Sequence, residues 1–270
     1  MALIKRRFIP LLGPAVWAAQ ARAEAPVVAE TTETPTAPPA PPGPELPSRV
    51  NIQFFGDSLA QGLWLTTHPL LRRREDLRAL NGTRHATGLT RSDEHDWVAT
   101  VQQTRAREAA QVVIVWIGAN DFRPFVDRTA RARFQFGTPE FFEAYRRTVE
   151  TITRASVSTR GQVAWLGLPN MRDGQFAAAA RRLNDSIQAG TEAGGGQYVS
   201  TWEATSDEAG RFRASIADAE RRERRLRADD GVHFSDLGYR LMARLAFDRL
   251  AATRPELATF MRAAQDAVGA

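Results

Sequence analysis

Three short polar segments of the chain contain the residue types that acyl transfer requires. A serine lies in Gly56-Asp57-Ser58-Leu59, an asparagine in Gly118-Ala119-Asn120-Asp121, and a histidine ends Asp230-Gly231-Val232-His233. Acyl transfer needs a hydroxyl nucleophile, a base that takes its proton, a carboxylate that orients the base, and donors for the oxyanion. Singly, such a serine is more often a turn or helix cap, and such a histidine more often lies on the solvated surface. Their joint occurrence favours a catalytic site.

Apolar runs precede the first two segments and predict buried β-strands. These runs are rich in β-branched residues and continuous rather than alternating, which is typical of a parallel sheet covered on both faces. Two further runs follow, and a fifth strand is predicted in a less regular region. The predicted strands are Val50–Phe55, Val112–Ile117, Gln162–Leu168, Gln197–Ser200 and the region Thr83–Thr87.

Helical patterns alternate with these strands. Thr138 is a predicted helix cap with Pro139 in the first helical position, 177–193 forms a second helix, and Ser235 caps a third. This alternation predicts an α/β domain, a three-layer sandwich with a central, mainly parallel sheet. In such folds ligands bind outside the carboxyl ends of the strands, where Ser58 and Asn120 are predicted to lie.

The three segments, in this order, resemble the sequence blocks of the SGNH hydrolases, also called the GDSL family. The second block of that family is a single glycine, for which Gly88 is our choice and Gly82 is the competitor. The stretch from Trp202 through Gly210-Arg211-Phe212 to Arg227 is also similar to a less characterised, exported bacterial branch of the family. The Gly-x-Ser-x-Gly elbow of the α/β-hydrolases is absent because Ala60 follows Ser58 by two positions.

The resemblance implies a flavodoxin-like SGNH fold and a role for each site residue. Ser58 is the expected nucleophile, and His233 the expected general base and acid, oriented by Asp230. The oxyanion hole is expected from the backbone N–H groups of Ser58 and Gly88 and from the side-chain amide of Asn120. Asp229 is the alternative carboxylate, but the family spacing of Asp-x-x-His favours Asp230. No metal and no cofactor are expected.

A serine esterase that removes O-acyl groups, especially O-acetyl, from envelope or extracellular polysaccharide or peptidoglycan is the function that the resemblance implies. An O-acetyltransferase that uses the same Ser58 site is the first alternative, because a sugar hydroxyl can intercept an acyl-enzyme in place of water. A non-catalytic envelope assembly or binding factor is the second. The complete set of site residues argues against that last interpretation.

The first 48 residues are predicted to be a signal peptide, 1–23, followed by a linker. Lys5, Arg6 and Arg7 precede an apolar stretch, and Ala21-Arg22-Ala23 offers a signal-peptidase site, which predicts cleavage after Ala23. Eight of the 15 prolines lie in 24–48, the predicted proline-rich linker. The hydrolase domain is then expected over 49–270, located in the periplasm or secreted, with no transmembrane span in the mature chain.

Charge and composition weigh against several other classes of protein. The 36 basic and 31 acidic residues give a formal charge of +5, but without the four basic residues of 1–23 the balance is 32 to 31. Nucleic acid is therefore not an expected partner. The chain has no cysteine, so no thiolate metal site can form. The spacing of His85, Asp93, His95 and Asp96 matches no metal site.

The arginine-rich run 221–227 alternates with Glu220 and Glu223. We interpret it as a salt-bridged helix face.

Overall fold

A five-stranded sheet forms the centre of the protein, and its neighbouring strands are all parallel. The computed structural model of the chain describes residues 48–128, 130–157, 161–218 and 220–269. The predicted signal peptide, 1–23, and all but the last residue of the predicted linker lie outside these ranges. The strands within these ranges, in chain order, are β1 (Val50–Gly56), β2 (Leu77–Thr83), β3 (Val112–Trp116), β4 (Phe125–Asp127), β5 (Ala132–Phe134), β6 (Gln162–Leu166), β7 (Gln197–Val199), β8 (Ser215–Ala217) and β9 (Glu223–Arg225).

The strand order of the central sheet is β2-β1-β3-β6-β7. β1, β3 and β6 occupy its middle, and nearly every residue in them is buried because helices cover both faces. This burial explains the continuous apolar runs. The fifth strand, however, is not at Thr83–Thr87 as predicted but at β2, which ends at Thr83. β2 is an edge strand with Arg78 and Asn81 exposed, so its sequence lacks a continuous apolar run.

Six α-helices of the described residues pack in two layers on the sheet. α3 contacts both α2 and α4 on one side, and α1, α5 and α6 contact one another on the other side. This arrangement confirms the predicted three-layer α/β fold. The helices are α1 (Ser58–Leu71), α2 (Trp97–Arg107), α3 (Pro139–Ser156), α4 (Gly174–Ala193), α5 (Asp236–Thr253) and α6 (Pro255–Gly269).

The arginine-rich run 221–227 is not a helix face, and that prediction was wrong. β8 and β9 form an antiparallel hairpin across it. Arg222 and Arg224 contact Asp218 on the exposed side, whereas Arg227 is buried behind the hairpin at 2% exposure. All three residues of β9 are exposed, and the chain turns into the interior directly after the strand, where Leu226 and Arg227 are both buried.

No helix of the described residues has the length and apolar character needed to cross a membrane. The same ranges contain no group of three histidine and acidic side chains that could hold a metal ion. Asp93 pairs with Arg91, Asp96 caps α2 through the N–H of Ala99, and the ring of His95 packs edge-on against that of Trp97.

Candidate active site

Ser58 is the first residue of α1 and follows β1 after a tight turn. Gly56 makes the turn possible: its φ is +145°, and a Cβ on it would lie 1.9 Å from the carbonyl oxygen of Trp116. Asp57 caps the helix by accepting a hydrogen bond from the N–H of Leu59 at 2.9 Å. Ser58 therefore stands at the helix N-terminus, where the helix dipole favours developing negative charge.

Three side chains form a continuous hydrogen-bonded path at this point. Nε2 of His233 lies 2.7 Å from Oγ of Ser58, and Nδ1 of His233 lies 2.6 Å from Oδ2 of Asp230. Oδ1 of Asp230 accepts from the backbone N–H groups of Val232 and His233 at 2.8 and 2.9 Å. With a proton on Nδ1, the imidazole offers Nε2 as an acceptor to the serine hydroxyl. The arrangement can remove a proton from Ser58.

Asp229, the alternative carboxylate, lies outside this path. Its side chain is 93% exposed and pairs with Arg225. The three-residue spacing brings Asp230 under the imidazole, whereas the carboxylate of Asp229 faces solvent. The geometry therefore favours Asp230 over Asp229 as the partner of His233.

Asn120 and Gly88 meet at the carboxyl end of β3. Nδ2 of Asn120 donates to the carbonyl of Thr87 at 2.9 Å, so one of its two amide hydrogens remains for a ligand. Gly88 is buried, and no hydrogen bond among the described residues takes up its backbone N–H. A Cβ on Gly88 would lie 2.1 Å from a carboxylate oxygen of Asp121, so the position has no room for a side chain.

Gly82, the competitor for the second block, lies within β2 opposite Phe55. A Cβ there would meet the side chains of Gln53 and Phe55 at 2.7 Å, which is a packing constraint within the sheet. Gly88, in contrast, directly follows the Thr87 carbonyl that Asn120 binds. The structure therefore favours Gly88 over Gly82 as the neighbour of the site.

An open cleft of about 400 Å³ lies above these residues. Four of the five predicted site residues line it, and Gly88 directly follows Thr87, whose carbonyl accepts from Asn120. One wall is apolar: Phe122 and Phe176 stack at a ring-centroid distance of 5.2 Å, and Phe176 is 46% exposed. The lining residues are Ser58, Ala119, Asn120, Phe122, Arg123, Met171, Phe176, Asp230, Val232 and His233.

Two buried carboxylates to which the sequence assigned no role hold the loops of the site together. Oδ2 of Asp57 accepts from the N–H groups of Gly118 and Ala119 at 2.9 and 3.0 Å, which joins the start of α1 to the end of β3. Asp121 is fully buried and accepts from the backbone of Leu89 and Thr90, the Thr90 hydroxyl and the Tyr145 hydroxyl. Their positions inside the first and second of the three polar segments were the available sequence signal.

Asp57 precedes Ser58 in the chain, and Asp230 is the hydrogen-bond partner of His233. The pKa values of these two carboxyl groups are shifted in opposite directions. Burial raises the pKa of Asp57 to about 6, although three backbone N–H donors favour its charged form. Partial burial opposes ionisation of Asp230 as well, but hydrogen bonds from the His233 ring and from the backbone lower its pKa to about 2. Asp230 is therefore an anion throughout the neutral range, as a partner of an imidazolium must be.

Asp57 should make the folding stability depend on pH between about 4 and 6. In that window folded Asp57 retains a proton that the unfolded chain has released, so its contribution to the unfolding free energy falls as pH rises, by up to about 3 kcal/mol. Urea unfolding of the wild type and of Asp57→Asn from pH 4 to 8 measures this contribution.

The unfolding free energy of the wild type relative to that of Asp57→Asn should decline towards pH 6. The same comparison with Asp185→Asn, an exposed position, should show no such trend. A difference between wild type and Asp57→Asn that stays constant with pH would contradict the shift.

Comparisons with known proteins place the chain in a family and show its fold. The family described as "Protein of unknown function (DUF459)" matches residues 51–249. No curated protein sequence matches the chain.

Three solved structures of similar fold are informative. An acetylxylan esterase, Axe2, from Geobacillus stearothermophilus has 15% identity and a TM-score of 0.51 over 75% of this chain and 94% of its own. A carbohydrate acetylesterase, Est24, from Sinorhizobium meliloti has 16% identity and a TM-score of 0.50 over 76% and 100%. A putative lipolytic protein of the G-D-S-L family from Desulfitobacterium hafniense has 12% identity and a TM-score of 0.50 over 73% and 98%. Likeness at these identities shows the fold, which confirms the expected SGNH architecture. The chain therefore belongs to the DUF459 family and has the fold of the SGNH, or GDSL, hydrolases.

Proposed function

We propose that this protein is a serine esterase that forms an acyl-enzyme on Ser58. The observation that carries the proposal is the hydrogen-bonded path from Oγ of Ser58 through the His233 ring to Asp230, located at an open cleft. The path unites a nucleophile, a base and an orienting carboxylate, which together define the acyl-transfer triad on unrelated folds.

In the first half of the reaction, Nε2 of His233 takes the hydroxyl proton while Oγ of Ser58 attacks the ester carbonyl carbon. The resulting oxyanion is stabilised by the N–H groups of Ser58 and Gly88 and by the free amide hydrogen of Asn120. The tetrahedral intermediate then breaks its bond to the alcohol oxygen, which takes the proton from the imidazolium. Asp230 holds Nδ1 of His233 throughout and stabilises the charged ring.

In the second half, water replaces the alcohol. Nε2 of His233 takes a proton from the water as its oxygen attacks the acyl carbonyl of Ser58. The intermediate breaks its bond to Oγ, and the proton returns to Ser58 with release of the carboxylic acid. Each group ends in its starting state, so the chain itself completes the cycle.

Asn120→Ala should lower kcat by about 100- to 1000-fold, which corresponds to about 3 kcal/mol of transition-state stabilisation. The reason is that the variant removes one oxyanion donor and leaves the nucleophile and base in place. Steady-state hydrolysis of p-nitrophenyl acetate measures the loss, and the melting temperature reports on folding. A folded Asn120→Ala protein with wild-type turnover would remove Asn120 from the oxyanion hole.

O-acetyl groups on envelope or extracellular polysaccharide are the substrates that we propose. Three features support this choice: the predicted export signal in 1–23, the exposed Phe176 in the same cleft as Ser58, and the carbohydrate esters named for two of the structural neighbours. Aromatic rings offer a flat apolar face to a sugar ring. The cleft is open at its mouth, which suits a polymer better than an enclosed pocket does.

Two measurements on the full chain test the function. A fluorophosphonate, which reacts with activated serines, should modify Ser58, as peptide mass spectrometry would show. The protein should also release acetate from acetylxylan or from O-acetylated peptidoglycan. If the fluorophosphonate modifies Ser58 but the acetyl group is transferred to a sugar acceptor and no acetate is released, the protein is the O-acetyltransferase of the first alternative. No modification and no ester cleavage by a folded protein would refute the esterase.

A further inference from the structure

Arg227 is a buried cation that the proposed reaction does not use. Its side chain is 2% exposed, and within the described ranges it forms no ion pair with a carboxylate. Burial lowers its pKa to about 10, so the guanidinium remains charged at neutral pH. A buried charge without a paired carboxylate costs free energy, and an apolar side chain of similar size would avoid that cost. The contribution of the guanidinium must therefore lie in what it binds.

The guanidinium binds backbone carbonyls on both sides of the candidate site. Nε donates to the carbonyl of His233 at 3.2 Å, and Nη2 donates to those of Val232 at 2.8 Å and Gly231 at 3.4 Å. Nη1 donates to the carbonyl of Asn170, four residues beyond the end of β6, at 2.5 Å. One side chain thus ties the backbone that carries His233 to the carboxyl end of the central sheet.

Two aromatic rings hold the guanidinium in this position. Its central carbon lies 4.3 Å from the ring centroid of Phe234 and 4.9 Å from that of Phe212. Cation–π contacts of this kind favour a charged group that has lost its water. The charge also interacts favourably with that of Asp230, because Asp230 raises the pKa of Arg227 against the effect of burial.

The segment that carries His233 depends on these bonds because it belongs to no strand of the central sheet. Residues 230–233 lie in a loop that is closed by an isolated antiparallel bridge between Arg227 and Phe234, just before the start of α5. Within this loop the Asp230 carboxylate accepts from the N–H groups of Val232 and His233. The carbonyls of residues 231–233 accept hydrogen bonds from the Arg227 side chain and from the backbone N–H groups of Ala228 and Arg172. A displacement of about 1 Å at a reacting group can cost about 100-fold in rate.

We propose that Arg227 is a positioning residue that sets His233 and Asp230 against Ser58 by fixing the backbone of residues 231–233. This inference rests on the proposed function for its effect on rate, but its structural part concerns the His233–Asp230 pair alone. Arg227 acts through main-chain carbonyls and does not contact substrate.

The test compares Arg227→Met, Arg227→Lys and the control Arg224→Met in the full chain. Arg224 lies on the same hairpin, is exposed, and has only a 3.5 Å contact with Asp218. The first readout is the downfield proton resonance of Nδ1 of His233 in its short bond to Asp230, assigned by its loss in Asp230→Asn. The second is the split between kcat and KM for p-nitrophenyl acetate, and the melting temperature monitors folding.

We expect Arg227→Met to lose or shift the His233 resonance and to lower kcat by about 10- to 100-fold, with a much smaller change in KM. Arg227→Lys should recover part of both readouts because it keeps the charge, while Arg224→Met should match the wild type. If Arg227→Met does not fold, Arg227→Lys decides: a lysine variant with the wild-type resonance and kcat overturns the proposal. A folded Arg227→Met with both readouts unchanged also overturns it.

The resonance separates this inference from the esterase proposal. If the wild type cleaves no ester and its Ser58 stays unmodified, the proposed function fails. The effect of Arg227 on the His233–Asp230 bond is still measured in that case, and an unchanged resonance in the variants would then refute the positioning role independently.

Discussion

Ser58→Ala is expected to lower kcat for ester hydrolysis by a factor on the order of 10⁵ to 10⁶ and to leave a small residual rate above that of the buffer. Alanine has no oxygen to form the acyl-enzyme, and the base His233 is then left without the hydroxyl that lies 2.7 Å from its Nε2. The residual rate over water comes from the oxyanion donors and from substrate binding alone. Hydrolysis of p-nitrophenyl acetate by equal amounts of the two proteins measures the effect.

Ser200→Ala is a matched control for this experiment. Ser200 directly follows β7 as Ser58 follows the turn after β1, but it lies outside the cleft and bonds to Glu203. The control should hydrolyse the ester at the wild-type rate. Circular dichroism should show that Ser58→Ala keeps its fold, because removing a hydroxyl at the first helical position leaves the cap from Asp57 intact. Activity retained by a folded Ser58→Ala would refute the acyl-enzyme.

Asp230→Asn is expected to lower kcat by about 10³- to 10⁴-fold. The amide can present N–H groups to Nδ1 of His233, which favours the tautomer that carries its proton on Nε2. That ring can no longer accept the proton of Ser58. The variant also loses a carboxylate whose pKa is about 2 and which is therefore charged whenever the imidazolium forms. Steady-state kinetics near pH 7.5, with melting temperatures for both proteins, measure the change.

Asp229→Asn is the internal control because it makes the same substitution one residue earlier. It removes only an exposed pair with Arg225, so kcat should stay within about twofold of the wild type. The two variants decide between the carboxylates that the sequence leaves open. A large loss in Asp229→Asn together with an active Asp230→Asn would exchange their roles.

The central strands and the main helices were predictable because their positions impose strong constraints on side-chain type. β1, β3 and β6 are buried on both faces and therefore consist of apolar runs. α3 begins with a threonine cap and a proline, which are local signals that do not depend on the rest of the fold. Apolar runs and helix caps involve residues that are neighbours in the sequence, so a sequence pattern can detect them.

The edge strand and the hairpin were predicted wrongly because their strands are partly or fully exposed and so lack the apolar runs that mark buried strands. β2 exposes Arg78 and Asn81 and pairs only with β1, so local polarity hides it. The run 221–227 has charge alternation that suits a helix, yet its residues Glu223–Arg225 pair with the preceding strand β8 and form a hairpin. Pairing between strands is a tertiary interaction that overrides local preference.

Ser58, Asn120, Asp230 and His233 could be proposed as site residues from the sequence alone, because short blocks of fixed residue types place them at strand ends and at a helix entrance. The order of the blocks and the alternation of strands and helices also determined the architecture. What the sequence left open is the choice between Gly88 and Gly82 and between Asp230 and Asp229.

Only the tertiary structure decided which groups meet. Ser58 and His233 are 175 positions apart, and their 2.7 Å contact exists because β1 and the turn before α5 end at the same edge of the sheet. The buried positions of Asp57, Asp121 and Arg227 follow from the same convergence, since each binds backbone of a segment far away in the chain. Hydrogen bonds depend on distances of about 3 Å, and such distances between remote residues are set by packing.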